Sequence, residues 1–171
     1  MDAETLRSLQ APLKERYRAD PSTALVTLRA SGRLADGVAC DVETWRGRAL
    51  AGLHPATGGD GMLACSGDML LQALAACAGV TLRAVATAMG VEVRSGAVRA
   101  EGDLDFRGTL GVSKDAPVGF RAIRLAFELD ADADAARLSR LAELTERYCV
   151  VAQTLRRGCE VAVSCRKAAR S

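Results

Sequence analysis

Aromatic residues are scarce, at 4% of the chain. The interior therefore has to be filled with Ala, Leu and Val, small side chains that suit close contacts between helices. Histidine is almost absent, with His54 alone. A zinc site would have to draw its other ligands from six cysteines, none of which forms a Cys-x-x-Cys pair, so no metal is expected. Charge of one sign is also missing. The formal net charge is +2, and lysine and arginine are scattered except in the tail Arg166–Arg170. Without a basic face interleaved with aromatics, nucleic acid is not an expected partner. The first 21 residues have no signal-peptide core, and no apolar run of membrane-spanning length escapes polar interruption. The expectation is a cytoplasmic protein with no membrane partner.

What is present describes one ordinary domain. The chain has 171 residues, 49% hydrophobic and 26% charged, enough for a sizeable core. Residues 3–17 have helical periodicity, with Leu6, Leu9, Leu13 and Tyr17 on one face and Pro12 as a local interruption. Residues 1–22 are read as a helical extension and 23–171 as a single domain. Alternation predicts strands over 23–30 and 38–45, joined by "SGRLADG", with a third over 48–53. The segment 54–67 holds four glycines and a proline and reads as a loop. It lacks the endings of a phosphate-binding loop. A helix follows over 68–88, so apolar that only Gln72, Thr81, Arg83 and Thr87 interrupt it between Met69 and Met89. Such a helix is buried. Asp68 suits its N-terminus and Gly90 its C-cap. Strands are expected over 91–107 and 119–130, an amphipathic helix over 133–148 with Leu138, Leu141, Ala142, Thr145 and Tyr148 inward, and a short helix closed by Gly158. A last strand is expected over 159–165. Segregated hairpins and helices give an α+β fold.

Chemistry concentrates on two thiols. Cys77 lies in "LLQALAACAGVTL", in the middle of the apolar helix, and Cys149 in "ERYCVVAQTL", at a helix boundary. A free cysteine is commonly a small core hydrophobe. One beside a helix N-terminus has a lowered pKa and greater reactivity. Cys65 is an extra thiol near the helix start. Cys40, Cys159 and Cys165 fall in strand patterns as core or surface residues, and His54 reads as a loop residue.

Those two motifs, 72 residues apart within this order of hairpins and helices, resemble the OsmC/Ohr family of osmotically inducible and organic hydroperoxide resistance proteins over roughly residues 23–165. The resemblance implies an OsmC-like fold, with antiparallel hairpins around a buried central helix, and an intertwined homodimer with thiol sites at the subunit interface. It implies that Cys77 is the peroxidatic thiol and Cys149 the resolving one. No bound cofactor is implied. An external dithiol, of lipoyl type in the Ohr branch, restores the thiols. The family sets an arginine from the first hairpin beside the thiolate, which places Arg33 there with Arg29 as the alternative.

This chain departs from the pattern at two positions. Relatives commonly carry a glutamate ten residues before the first cysteine, where Gly67 stands here. Asp68 is the nearest acid. Nine helical residues span about 13.5 Å, so Asp68 acts through the arginine, from another subunit, or as a helix cap. Many relatives also carry proline after the second cysteine, where this chain has Val150. Two other readings remain open. One is a protein of this fold that binds a small apolar ligand without turnover; the other is a thiol redox sensor.

Overall fold

The computed structural model describes residues 1–167, so the end of the basic tail, 168–171, lies outside the described residues. Helix α1 runs over Ala3–Ala19, opened by Asp2, whose carboxylate accepts the Thr5 N–H at 2.8 Å. Pro12 is carried inside the helix. Asp20 then caps a single 3-10 turn, Pro21–Ala24.

The strand expected over 23–30 does not form. Residues 25–31 run without a ladder, and Leu25, Val26 and Leu28 are exposed, Leu28 by 87%. Alternation gives a strand only where another strand offers its edge, and no described segment does so here.

The first sheet has the order β1-β2-β3-β4, with β1 at Gly32–Ala35, β2 at Ala39–Thr44, β3 at Gly47–Gly52 and β4 at Ala64–Cys65. Its hairpins are antiparallel, and β4 returns parallel to β3 through Gly52↔Cys65. "SGRLADG" is therefore strand as far as Ala35. The turn proper is residues 36–38, where Gly37 takes φ +69°. Between β3 and β4, His54 Nδ1 accepts the Ala56 N–H at 3.0 Å, and the ring stacks on Phe106 with centroids 4.9 Å apart.

Helix α2 spans Ser66–Met89, with Cys65 as N-cap and Gly90 (φ +64°) as C-cap. The helix thus starts two residues before the expected position, which moves Asp68 from the cap into the first turn. Leu74, Ala78, Leu82 and Ala86 are buried, every fourth residue. This stripe lies on a long antiparallel hairpin, β5 (Val93–Leu104) with β6 (Phe120–Ala131), paired through Val98↔Phe127. Among the described residues α2 alone is long and apolar enough to cross a membrane; its buried stripe makes it the core helix of this layer.

The hairpin alternates cleanly, as a sheet with one wet face should. Val98, Ala100, Ile123, Leu125 and Phe127 face the helices. Its other face carries ion pairs: Arg124 with Asp103 at 2.5 Å, Arg99 with Glu128 at 3.2 Å, and Arg94 with Asp130. The connection between the strands holds a short helix, α3 (Phe106–Thr109).

Helix α4, Ala135–Tyr148, is capped by Asp134. Leu141 and Thr145 of its predicted inner face are buried, whereas Tyr148 is exposed. Cys149 ends α4 and opens α5 (Val150–Arg157), so one extended residue (φ −72°, ψ 110°) turns the chain between two helices. After Gly158 the chain is irregular. The strand expected over 159–165 is absent, and Val161 and Val163 are exposed. Like 25–31, the segment alternates but meets no strand edge.

Candidate active site

Two helices bring the predicted thiols together. Leu74 and Ala78 hold α2 against the hairpin, and Cys77 lies beside them, half-buried. Cys149 is fully buried in the same cluster, with Val151, Ala152 and Leu155 of α5 around it. The two thiols pack in one cluster and lie close enough to act on each other's acidity.

Their environments push them apart. Burial drives the Cys77 thiol up, but the Val151 N–H, the Cys149 thiol, the Val150 N–H and the Thr81 hydroxyl more than offset it. The result is a thiol more acidic than usual. For Cys149, burial dominates, and the neighbouring Cys77 adds to it against the Ala152 N–H, so this thiol is less acidic than usual. In a coupled pair the first proton to leave therefore comes chiefly from Cys77. Cys149 is the thiol of the pair that holds its proton longer.

The donors come from the way α5 begins. The first N–H groups of a helix have no partner within it and carry its positive end. Cys149 is the N-cap residue, with no oxygen to cap the helix. The Val150 N–H acts on Cys77, the Ala152 N–H on Cys149, and the Val151 N–H on both sulfurs. The sequence carried a signal for Thr81, which stands four residues after Cys77 on the same helix face. The role of Val150 and Val151 depended on α5 packing against α2, which spacing does not reveal.

The other predicted residues are not at the thiols. Asp68 is nine residues, two and a half helical turns, before Cys77. It points to the opposite side of α2, into a groove with Leu71, Gln72, Ala75 and Arg99. Arg33 sits on β1, exposed and close enough to Asp41 to lower that carboxyl, although Arg48 at 2.5 Å is the main cause. Arg29 lies in the exposed irregular segment. None of the groups that act most strongly on Cys77 is charged. Gly67 faces Phe120, Leu104 and the Cys65 sulfur, each 3.5–3.6 Å from where its Cβ would be.

A cavity of about 650 Å³ opens between β6, α4 and α5. Leu74, Ile123, Leu125, Phe127, Ala152 and Leu155 line it and also surround the thiol pair, while Arg121, Glu143, Glu146 and Arg156 supply its charged groups. This arrangement can hold a thiolate next to a protonated thiol, separated from the cavity by the apolar side chains that the two share.

Known proteins share this architecture. Residues 59–164 match the family described as OsmC-like protein. The structure of an OsmC-like protein from Mycoplasma pneumoniae superposes with a TM-score of 0.66 at 16% identity, over 78% of this chain and 89% of that one. An organic hydroperoxide resistance protein from Elizabethkingia anophelis gives 0.58 at 14% identity, over 78% and 91%. That of Bacillus subtilis gives 0.53 at 18%, over 78% and 93%. At such identities the structures establish the fold alone. No curated protein matches by sequence. The match to the family extends from the loop before α2 through both thiols, and by that match the chain belongs to the OsmC-like protein family.

Proposed function

We propose that the protein is a thiol-dependent peroxidase that reduces hydroperoxides, organic ones by preference, in defence against oxidative stress. The observation that carries this reading is the contact between Cys77 and Cys149 with their acidities driven in opposite directions. The Cys77 thiolate attacks the terminal oxygen of R–O–OH. The O–O bond breaks, Cys77 becomes a sulfenic acid, and the leaving alkoxide takes a proton to become ROH. Cys149 then attacks the sulfenic sulfur. A disulfide forms and the hydroxyl leaves as water with the Cys149 proton. An external dithiol reduces the disulfide through a mixed disulfide and is itself oxidised. No bound cofactor takes part. The apolar side chains shared by the thiol cluster and the neighbouring cavity favour an alkyl substituent on the peroxide, and a cytoplasmic setting keeps the resting thiols reduced.

The working unit in this reading is a homodimer. Two strand-like segments, 25–31 and 159–165, expose Leu25, Val26, Leu28, Val161 and Val163, and a second copy offers edges for them to pair with. The same assembly brings Arg33 of one copy towards Cys77 of the other. Asp68 enters only if that arginine comes within its reach. The cavity also favours a second reading, in which an apolar ligand is bound without turnover.

Thiol titration of the reduced protein before and after one equivalent of cumene hydroperoxide tests the proposal. Wild type should lose two thiols per chain, recovered with a dithiol, and Cys77→Ser should lose none reversibly. No loss in wild type favours the binding reading. Loss without turnover under any dithiol favours a sensor. Equal or faster turnover of hydrogen peroxide removes the organic preference.

A further inference from the structure

We propose that the cavity between β6, α4 and α5 is a binding site for a single-chain carboxylate, its alkyl chain lying over β6 and its anionic head on Arg121. The proposal rests on the reading of this cavity as a ligand site and gives the ligand its chemistry; it does not depend on turnover at Cys77. The order of residues along β6 carries the first part. Side chains two residues apart share one face of a strand. Ile123, Leu125, Phe127 and Leu129 form the face packed on the helices. Arg121 continues that row by one step and is its only charged member. The charged residues of the other face, Arg124, Glu128 and Asp130, are each held in an ion pair. Packing does not call for a guanidinium at the end of an apolar row.

The charge balance of the cavity carries the second part. Four charged side chains line it, Arg121, Glu143, Glu146 and Arg156. Three of them are engaged: Arg156 pairs with Glu146, and Glu143 accepts from Arg140 at 3.0 Å. Among the described residues the one ion-pair partner of Arg121 is Asp105, at 3.9 Å, beyond hydrogen-bonding distance. That carboxylate is already taken by Arg107, whose Nη2 lies 2.6 Å from Oδ2 and whose Nε lies 2.9 Å from Oδ1. The charge left over at the cavity is therefore one guanidinium, with N–H donors arranged to meet a carboxylate through two parallel bonds. A cationic head would meet Arg121 unscreened and find both glutamates engaged.

The dimensions suit a chain. The cavity of about 650 Å³ is of a size that holds small molecules. From Arg121 to Phe127 the strand runs about 20 Å at the rise of an antiparallel ladder, so a chain that starts at the guanidinium keeps an apolar floor along its length. Leu74, Ala152 and Leu155 close the wall on the side of the thiol pair.

The test is isothermal titration calorimetry of the reduced full chain with sodium octanoate, and with octan-1-ol as the uncharged comparison, for wild type, Arg121→Gln, Arg121→Lys and Ser139→Trp. Wild type should bind one octanoate per chain, about three- to tenfold more tightly than octan-1-ol; the range is set by a charge-assisted bond to a side chain that is 61% exposed. Arg121→Gln should weaken octanoate to the level of octan-1-ol and leave octan-1-ol unchanged, while Arg121→Lys keeps part of the preference. Ser139 is exposed on α4 and lines the cavity, so Ser139→Trp should block both ligands. Circular dichroism shows that each variant is folded; the side chain of Arg121 is exposed, so its variants supply the comparison if Ser139→Trp is not. Octanoate that binds wild type no more tightly than octan-1-ol overturns the proposal and leaves an apolar ligand site standing. Binding of neither removes both. An Arg121→Gln variant that keeps the preference, or octanoate binding that survives in folded Ser139→Trp, places the carboxylate elsewhere and overturns the proposal.

Discussion

Val150→Pro removes one hydrogen from the site and little else. Val150 is the first residue of α5, a position where proline is preferred because the N–H has no partner within the helix. Proline also demands an extended residue before it, and Cys149 already sits at φ −72°, ψ 110°. The Val150 side chain is 69% exposed, so little packing is lost. Its carbonyl, which accepts from Thr154, remains. Thermal stability should hold, or rise by about 0.4–1 kcal/mol through the unfolded chain. The N–H that reaches Cys77 is gone. A hydrogen bond to a charged group contributes about 1.5–3 kcal/mol. Val150 shares the sulfur with three other donors, of which Val151 and Cys149 act more strongly, so the lower end applies. At 1.36 kcal/mol per unit, the Cys77 midpoint should rise by about one pH unit. The assay is alkylation rate against pH at the Cys77 peptide, with circular dichroism to show that α5 persists. An unmoved or lowered midpoint in a folded variant would refute the idea that the α5 N-terminus holds the thiolate.

Three further outcomes follow from other contacts. Cys149→Ser should leave peroxide attack intact but stop the cycle at the Cys77 sulfenic acid, so a single turnover is seen and dimedone labels the protein; continued turnover would show that Cys149 is not the resolving thiol. Gly67→Ala should stabilise the protein by about 0.5–1 kcal/mol in urea denaturation, since a helical glycine is replaced and the new methyl meets Phe120, Cys65 and Leu104 at ordinary contact distances of 3.5–3.6 Å. The Arg107 guanidinium beside Asp105, aided by the Arg107 N–H and Arg121 and opposed by partial burial, holds the Asp105 carboxyl at about 2, against 3.8 when unperturbed. That stabilisation is complete above the unperturbed value and is lost as pH falls through the folded one. Asp105→Asn should therefore be less stable than wild type at pH 5, with the difference vanishing by about pH 2; a difference independent of pH would show that the carboxylate charge is not what matters.

The parts of the fold legible in the sequence are those whose partners lie close along the chain. Helix α2 announces itself by composition, and β5 and β6 by alternation joined through one connection. The thiol pair was legible through its two motifs, and the structure brings Cys77 and Cys149 into contact. The segments 23–30 and 159–165 have equally good alternation but form no ladder, because alternation states which residues share a face and says nothing about which edge is available. Asp68 was misplaced as a cap for a local reason: Cys65 begins the helix although its side chain makes no capping bond, against the usual preference for an oxygen at that position. The reach of Arg33 was a question of tertiary placement, and within the chain it lies at Asp41, on a sheet joined to α2 through β4.

The two departures from the family pattern compensate one another. At position 67 the Cβ direction leads to Phe120, Leu104 and the Cys65 sulfur. A carboxylate placed there without a cation would be desolvated among apolar groups, at a cost larger than any cap returns. Glycine avoids that cost but gives up the acid that orients an arginine. At position 150 valine supplies an N–H that proline lacks, and that N–H acts on Cys77 together with Val151 and Thr81. The half-buried Cys77 sulfur thus has a dipolar donor at the start of α5 that a proline at position 150 would not supply. Fixed dipoles need no second charge to be buried with the thiolate and are little affected by salt. In this chain the acidity of Cys77 therefore has its basis in the junction of α4 and α5 at Cys149.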